Sequence, residues 1–294
     1  MKFIHITDPH LVPSPEKLFA LDPRERLAQA VAEINSRQAD AEFLVMTGDL
    51  ADRGEPGAYR DLKAILDRLT MPYHLLLGNH DSRAAYYAAF PDAPKDANGF
   101  CQFVVEGPRA DCILLDSLVE GVHGGQLCQQ RLTWLADTLA ARRNKDVLLF
   151  LHHAPLGIGI PYMDGIGLDN PDALHSLIQD HGRVRHLFFG HVHRPLSGSW
   201  RGLPFSTVYG TNHQVALQFH LQDQLPGRSE LPQYAVVLVT QDSLLVHYHS
   251  YLDTAGPPYD LDSSVAGKAE NARDLPPFAG DLRSPLPGAP GRGR

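Results

Sequence analysis

The sequence predicts an α/β layered fold whose sheet faces are covered by helices, completed by a β-rich portion and an irregular tail. Three observations predict it. Short apolar runs alternate with helical periodicity as far as residue 189. After Pro195 the pattern is strand-like, with turns and no clear helix. From Asp253 onward Pro, Gly, Ser and charged residues dominate.

In order, residues 2–7 read as a buried strand. Residues 24–37 read as a helix with Leu27, Val31 and Ile34 on one face. A strand at 43–46, a helix at 56–69 and a strand at 73–77 follow, then a short helix near 83–90. Residues 100–105 and 112–115 read as neighbouring strands, 126–142 as a helix and 147–151 as a strand. A helix at 171–181 and a strand at 186–189 end the alternation. Beyond it, 204–208, 215–221, 234–240 and 243–251 are strand-like. Residues 253–294, ending in Pro-Leu-Pro-Gly-Ala-Pro-Gly and Arg-Gly-Arg, cannot bury enough apolar area to offset their ordering entropy alone. They read as a disordered tail or as an arm laid on a partner, which suggests a homo-oligomer.

The 294 residues suit one large domain with an appendage, or two domains at most. With 43% hydrophobic residues the chain can build a core without staples. A net charge of −8 argues against a general nucleic-acid or anionic-membrane surface. Cys101, Cys112 and Cys128 are odd in number and dispersed, so reduced thiols in a cytoplasmic protein are expected. The amino terminus reaches Thr7-Asp8 too soon for a signal-peptide core, and no run of eighteen apolar residues exists to span a membrane. The unusual count is sixteen histidines.

Polar residues collect after five predicted strands. They are Thr7-Asp8-Pro9-His10, Gly48-Asp49-Leu50-Ala51-Asp52, Gly78-Asn79-His80-Asp81, His152-His153 and Gly190-His191-Val192-His193. Open α/β sheets bind ligands beyond the carboxyl ends of their strands. Asp, His and an Asn amide without Cys make a mixed O/N donor set suited to Mn, Fe, Co or Zn. Glycines at 48, 78 and 190 would let the backbone bend before each donor. Two divalent ions about 3.5–4 Å apart would activate water and clamp an in-line displacement at phosphorus.

Taken together, D-x-H, G-D-x-x-D, G-N-H-D, the later His-His and G-H-x-H resemble the calcineurin-like metallophosphoesterase superfamily from residue 8 to residue 193. Residues 48–59 further resemble class III cyclic-nucleotide phosphodiesterases. Residues 210–215 are similar to a segment of bacterial glycerophosphodiesterases. The resemblance implies an α/β/β/α metallophosphoesterase sandwich, with residues 1–196 as catalytic core and 197–252 as a β-rich completion or cap. It implies that Asp8, His10 and His193 hold one metal, that Asn79, His152 and His191 hold the other, and that Asp49 bridges them. It further implies that His80 stabilises the transition state or protonates the leaving oxygen, with Asp81 orienting it. Asn79, His80 and His213 would contact substrate.

The implied reaction is hydrolysis of small phosphodiesters, cyclic nucleotides or glycerophosphodiesters, by a metal-bridging hydroxide. Purple acid phosphatases usually place Tyr where Asp52 stands, and protein phosphatases typically carry G-N-H-E where Asp81 stands here. The alternatives are a phosphomonoesterase or protein phosphatase of the same fold, or a non-catalytic scaffold. His153 is balanced between ligand support and substrate contact, His123 is a substrate-loop candidate, and Arg53 is a phosphate candidate from the G-D-x-x-D-R-G pattern. His5, His74, His175, His181, His186, His220, His247 and His249 sit in no motif and read as packing or surface residues, as do Trp134 and Leu135 on their helix.

Overall fold

The structure, a computed structural model, describes residues 1–252; the tail at 253–294, with its reading as an oligomerisation arm, lies outside the described residues. The strands are β1 (Lys2–Ile6), β2 (Phe43–Thr47), β3 (Tyr73–Leu76), β4 (Phe103–Val105), β5 (Asp111–Leu114), β6 (Val147–Leu151) and β7 (Val184–Phe189), followed by β8 (Leu196–Trp200), β9 (Leu203–Thr207), β10 (Gln214–Val215), β11 (Gly227–Arg228), β12 (Gln233–Val239) and β13 (Leu244–Ser250). The helices are α1 (Pro23–Arg37), α2 (Pro56–Leu66), α3 (Arg83–Ala89), α4 (Gln129–Ala140), α5 (Pro161–Asp164) and α6 (Pro171–His181).

Two large sheets form, in the orders β13-β12-β1-β2-β3 and β4-β5-β6-β7-β9-β8, and β10 and β11 pair antiparallel as a separate two-stranded ribbon. Side-chain alternation along the buried strands shows why they stack. On β1, Ile4 and Ile6 pack with Leu27, Val31 and Leu62 of α1 and α2, whereas Phe3 faces the second sheet. On β6, Leu149 and Leu151 pack toward α4 and α6, whereas Leu148 and Phe150 face the first sheet. The seam holds two stacked ring pairs, Phe3–Phe43 at 5.3 Å and Phe150–Phe188 at 4.8 Å, with Phe3 edge-on to Phe188 at 5.6 Å. Each such pair contributes about 0.5–1.5 kcal/mol beyond its area. The order of layers is helix, sheet, sheet, helix.

Apart from β10 and β11, the strands of residues 197–252 are divided between the two large sheets. β12 pairs antiparallel with β1 and carries β13 at its outer edge, while β9 runs parallel to β7 and carries β8.

Element limits differ from the sequence reading for local reasons. α1 starts at Pro23 because the Asp22 side chain accepts from Arg24 N at 3.0 Å and caps it. α4 starts at Gln129, not 126, because Gln126 N bonds Ser117 O and Leu127 N bonds Asn170 Oδ1, each at 3.0 Å. Residues 100–102 are held off β4 by Asp96 Oδ1 on Phe100 N and Asp116 Oδ2 on Cys101 N, each at 2.9 Å. The strand expected at 215–221 survives only as β10. Its remainder is a loop carrying exposed Leu217 and Phe219. β8 (Leu-Ser-Gly-Ser-Trp) has no internal apolar alternation to reveal it, and its partner β9 supplies its backbone bonds.

Candidate metal centre

β1, β2 and β3 run parallel, as do β6 and β7, so their carboxyl ends share one rim. The first two loops continue side by side past the strand ends, through Asp8 N to Gly48 O at 3.2 Å and His10 N to Asp49 O at 2.9 Å. The β7 loop is tied to the first when Asp8 accepts from His191 N at 3.1 Å on Oδ2, and the third loop is tied to the second by His80 N donating to Asp49 Oδ1 at 3.0 Å. Strands distant in sequence thus deliver their side chains to one spot.

All seven expected donors meet there. Asp8, His10, Asp49 and His193 have their ligand atoms within 4.8 Å of one another. On the other side, His152 Nε2 lies 3.2 Å from Asn79 Oδ1 and 3.4 Å from Asp49 Oδ1, and His191 groups with His152 and His153. The two Asp49 oxygens divide the work, since Oδ2 lies 3.4 Å from His10 Nε2. His10 Nε2 and His193 Nε2 lie 3.1 Å apart, and His191 Nε2 is buried without a hydrogen-bond partner. Converging nitrogens with an orphaned one among them are a poor hydrogen-bonded core and a good fit to cations. The residues present therefore suit a metal pair.

The backbone supports the same reading. Asp8 (φ 51), His10 (φ 45), Asp49 (φ 49), His191 (φ 68) and His193 (φ 48) all lie in the left-handed region. Such residues cost on the order of 1–3 kcal/mol each and collect at functional sites. The glycines act differently from the expectation of bends at all three. Gly48 has φ 95, and a Cβ there would stand 2.8 Å from Gly78 N. Gly78 and Gly190 lack a positive φ, but a Cβ would overlap Asp49 Oδ1 or Thr7 Oγ1. Close packing of loops, rather than bending, demands glycine at those two positions.

The rings are aimed by bonds at their other nitrogens, as metal-ligating histidines require. His152 Nδ1 bonds Thr47 O at 2.7 Å, His193 Nδ1 bonds His213 O at 2.8 Å, and His10 Nδ1 lies 3.2 Å from Asp52 Oδ1. Asp52 was not singled out for this role in the sequence, although the second Asp of G-D-x-x-D is its signal. Burial, reinforced by neighbouring imidazoles, drives His10 and His191 well below the ordinary histidine pKa. For His152 burial is outweighed by Asp49, and the ring is raised to about 9. Burial would raise Asp49, but His152 and its neighbours hold it well below the carboxylate range.

His80 is half-buried, with its Nδ1 donating to Asp52 O at 2.6 Å and its ring 4.7 Å from that of His10. Burial lowers its pKa, but Asp49 and Asp52 prevail and raise it above the ordinary value. Asp81 does not orient this ring. Its carboxylate instead accepts from Gly78 N at 2.8 Å, Leu50 N and Ala51 N at 3.0 Å and Tyr59 Oη at 2.8 Å. The tight turn after Gly78 points Asp81 back beneath the loops.

His213 joins the cluster, its ring 4.8 Å from His10 and 4.6 Å from His193. His153 is buried, with Nδ1 at 2.8 Å from Ser117 Oγ and Nε2 at 3.2 Å from His123 O, and it does not line the cavity. His123 stands at the rim, its Nδ1 3.5 Å from Asn79 Nδ2. Arg53 is exposed and paired to Glu55 and Glu16 at 2.8 and 2.9 Å, and it does not line the cavity, so its phosphate role loses support. The donors open into a cavity of about 770 Å³, within the roughly 300–1,000 Å³ usual for small-ligand sites. Among the described residues no helix is long and apolar enough to cross a membrane.

Two packed sheets with an Asp/His/Asn rim define a metallophosphoesterase architecture. The sequence profile of the calcineurin-like phosphoesterase family matches residues 1–195, and the chain belongs to that family. It is 44% identical over 269 residues to a protein of Rhodopseudomonas palustris named a probable cyclic nucleotide phosphodiesterase, with 90% of this chain and 98% of that one aligned. It is 28% identical over 262 residues to a probable glycerophosphodiester phosphodiesterase of Arcobacter nitrofigilis, covering 88% of this chain and 96% of that one. A dimetal phosphatase from Danio rerio shares the fold, with TM-score 0.62, 17% identity, and 86% and 96% of the two chains covered.

Proposed function

We propose that this chain is a dinuclear-metal phosphodiesterase that hydrolyses small phosphodiesters, cyclic nucleotides or glycerophosphodiesters, in the cytoplasm. The observation that carries the reading is Asp49, whose two oxygens face His152 and His10 on opposite sides at 3.4 Å each. Asp8, His10 and His193 would hold one cation, Asn79, His152 and His191 the other, with Asp49 shared; Mn, Fe, Zn and Co all suit these donors. Cations bound there would supply positive charge against phosphoryl oxygens and water acidic enough to lose its proton near neutral pH.

The chain's own groups do the rest. Asn79 Oδ1 faces His152 and its Nδ2 lies 3.5 Å from His123 Nδ1, so one of the two amide N–H groups can meet His123 while the other donates to a phosphoryl oxygen. His80 is fixed by its Nδ1–H bond to Asp52 O, so its Nε2–H points the proton toward the cavity. As water oxygen bonds to phosphorus and the P–O ester bond breaks, the leaving alkoxide takes that proton from His80 Nε2. His213 borders the same space and would contact the phosphate or the group it carries. Residues 1–196 then act as catalytic core, and 197–252 complete the sheets and bring His213 to the rim. All three cysteines are free thiols, two of them buried, in keeping with a reducing compartment.

Turnover of bis(p-nitrophenyl) phosphate against p-nitrophenyl phosphate, with added Mn²⁺, tests the reading. Diester preference is expected. Monoester preference would instead favour a phosphatase, and hydrolysis of neither a scaffold.

A further inference from the structure

Phe19 stands at the rim of the metal cavity with 68% of its surface exposed, an unusual place for a phenyl ring. Its backbone and that of Ala20 lie in the left-handed region, at φ 52 and 64, which bulky residues avoid. Reciprocal bonds between Leu18 and Leu21, both 2.9 Å, close the loop and hold this tip in place. The loop is thus built to present the ring instead of burying it, and the ring gains no core stabilisation in return. Phe19 meets His213 edge-on at 4.7 Å, and His213 packs on His10 and His193, so rings lead outward from the metal donors to Phe19. Tyr162, Met163, Ile166 and Leu225 line the same cavity, and Arg228 is its one Lys or Arg among the described residues. A glycerol or ethanolamine group would leave these apolar surfaces wet, whereas a flat heteroaromatic would cover them.

We propose that Phe19 is a specificity-determining residue, the stacking platform for the nucleobase of a nucleoside phosphodiester, which favours cyclic nucleotides over glycerophosphodiesters. The inference rests on the diesterase reading above. The experiment compares kcat/KM for 3′,5′-cyclic AMP and for glycerophosphoethanolamine, with Mn²⁺, in the wild-type chain, Phe19→Ala and Phe19→Trp. Loss of one base–aromatic stack should lower the ratio of the two substrates about tenfold in Phe19→Ala, chiefly through KM for the nucleotide, and Trp should restore it. Calorimetric affinity for adenosine 5′-monophosphate should weaken by a similar factor in Phe19→Ala. An equal fall on both substrates, or an unchanged ratio, would overturn the inference and leave Phe19 as a prop for His213. Wild-type turnover of glycerophosphoethanolamine alone would overturn it too, with the diesterase reading intact. Wild-type inactivity on both diesters would defeat that reading and the inference with it.

Discussion

Asp81→Asn separates two accounts of the G-N-H-D motif. Oδ2 of Asp81 accepts from Gly78 N and Leu50 N, and Oδ1 accepts from Ala51 N and Tyr59 Oη. An Asn side chain can keep one of these pairs; its NH₂ must face the other. Tyr59 Oη can rotate to accept, but a backbone N–H cannot, so one buried donor is orphaned at about 1–3 kcal/mol. The retained bonds also lose the strength that a charged acceptor gives, which brings the total to about 3 kcal/mol. For a fold of this size that corresponds to a fall in Tm of about 6–12 °C. The loops that move carry Asp49 and Asn79, so Mn²⁺ affinity should weaken about 10–100-fold, as it does when groups behind a ligand are lost. Thermal melts and the Mn²⁺ dependence of bis(p-nitrophenyl) phosphate turnover read both effects. Tyr59→Phe removes one donor to Asp81 and the acceptor of Ser82 N at 2.9 Å, and should cost about 1–3 kcal/mol. Unchanged metal affinity in Asp81→Asn, with an altered pH profile of kcat, would refute the loop-clamp account and return Asp81 to a role on His80.

Asp49→Ala should abolish paired metal binding and activity, measured as metal per chain after dialysis and as diester turnover; an unchanged rate would take Asp49 out of the site. His80→Ala should slow turnover about 10²–10⁴-fold with metal content near normal, and metal loss would make it a ligand instead. Acid should destabilise the fold through His5 and His186. Burial, the larger cause for His5, lowers their folded pKa values to about 3 and about 4. The unfolded chain therefore binds protons first, so stability present above pH 6.5 is lost as pH falls toward those values. The loss is about 2 kcal/mol per ring at pH 5. Urea unfolding at pH 7 and pH 5 checks this, and His186→Asn should reduce the difference; an unchanged slope would show that the rings do not carry it.

The convergence of the candidate donors was legible because residue type and position agree. Asp8, Asp49, Asn79, His152 and His191 each sit just past a buried strand, and parallel strands share a rim. What the sequence did not carry is non-local. Nothing in 233–239 says that β12 pairs with β1 at Ile4↔Val236, because an apolar strand fits either sheet by its own pattern. The loop after Val215 read as strand because Leu217, Phe219 and Leu221 alternate, yet that alternation faces solvent. Asp81 departs from its expected role for a related, non-local reason. The resemblance implied that it orients His80, whereas the turn at Gly78 turns its carboxylate toward backbone donors.

The left-handed backbone at five of the seven donors explains why these loops need such deep anchoring. Five strained residues cannot be held by their own short loops. They persist because Asp8 grips His191 N, Asp49 grips His80 N, and Asp81 grips the loop backbone on either side of the gap. Asp8 and Asp49 therefore do two things at once, bonding backbone and facing imidazoles, and their bonds to other loops make the site a single unit. A substitution at Asp49 should couple to one at Asp81, which holds the same loop, far more than independent ligands would. A double-mutant cycle between Asp49 and Asp81, whose carboxylates hold the same loop through His80 N and Gly78 N, read as stability of the metal-free chain, should show a coupling of about 0.5–3 kcal/mol, and additivity would break the argument.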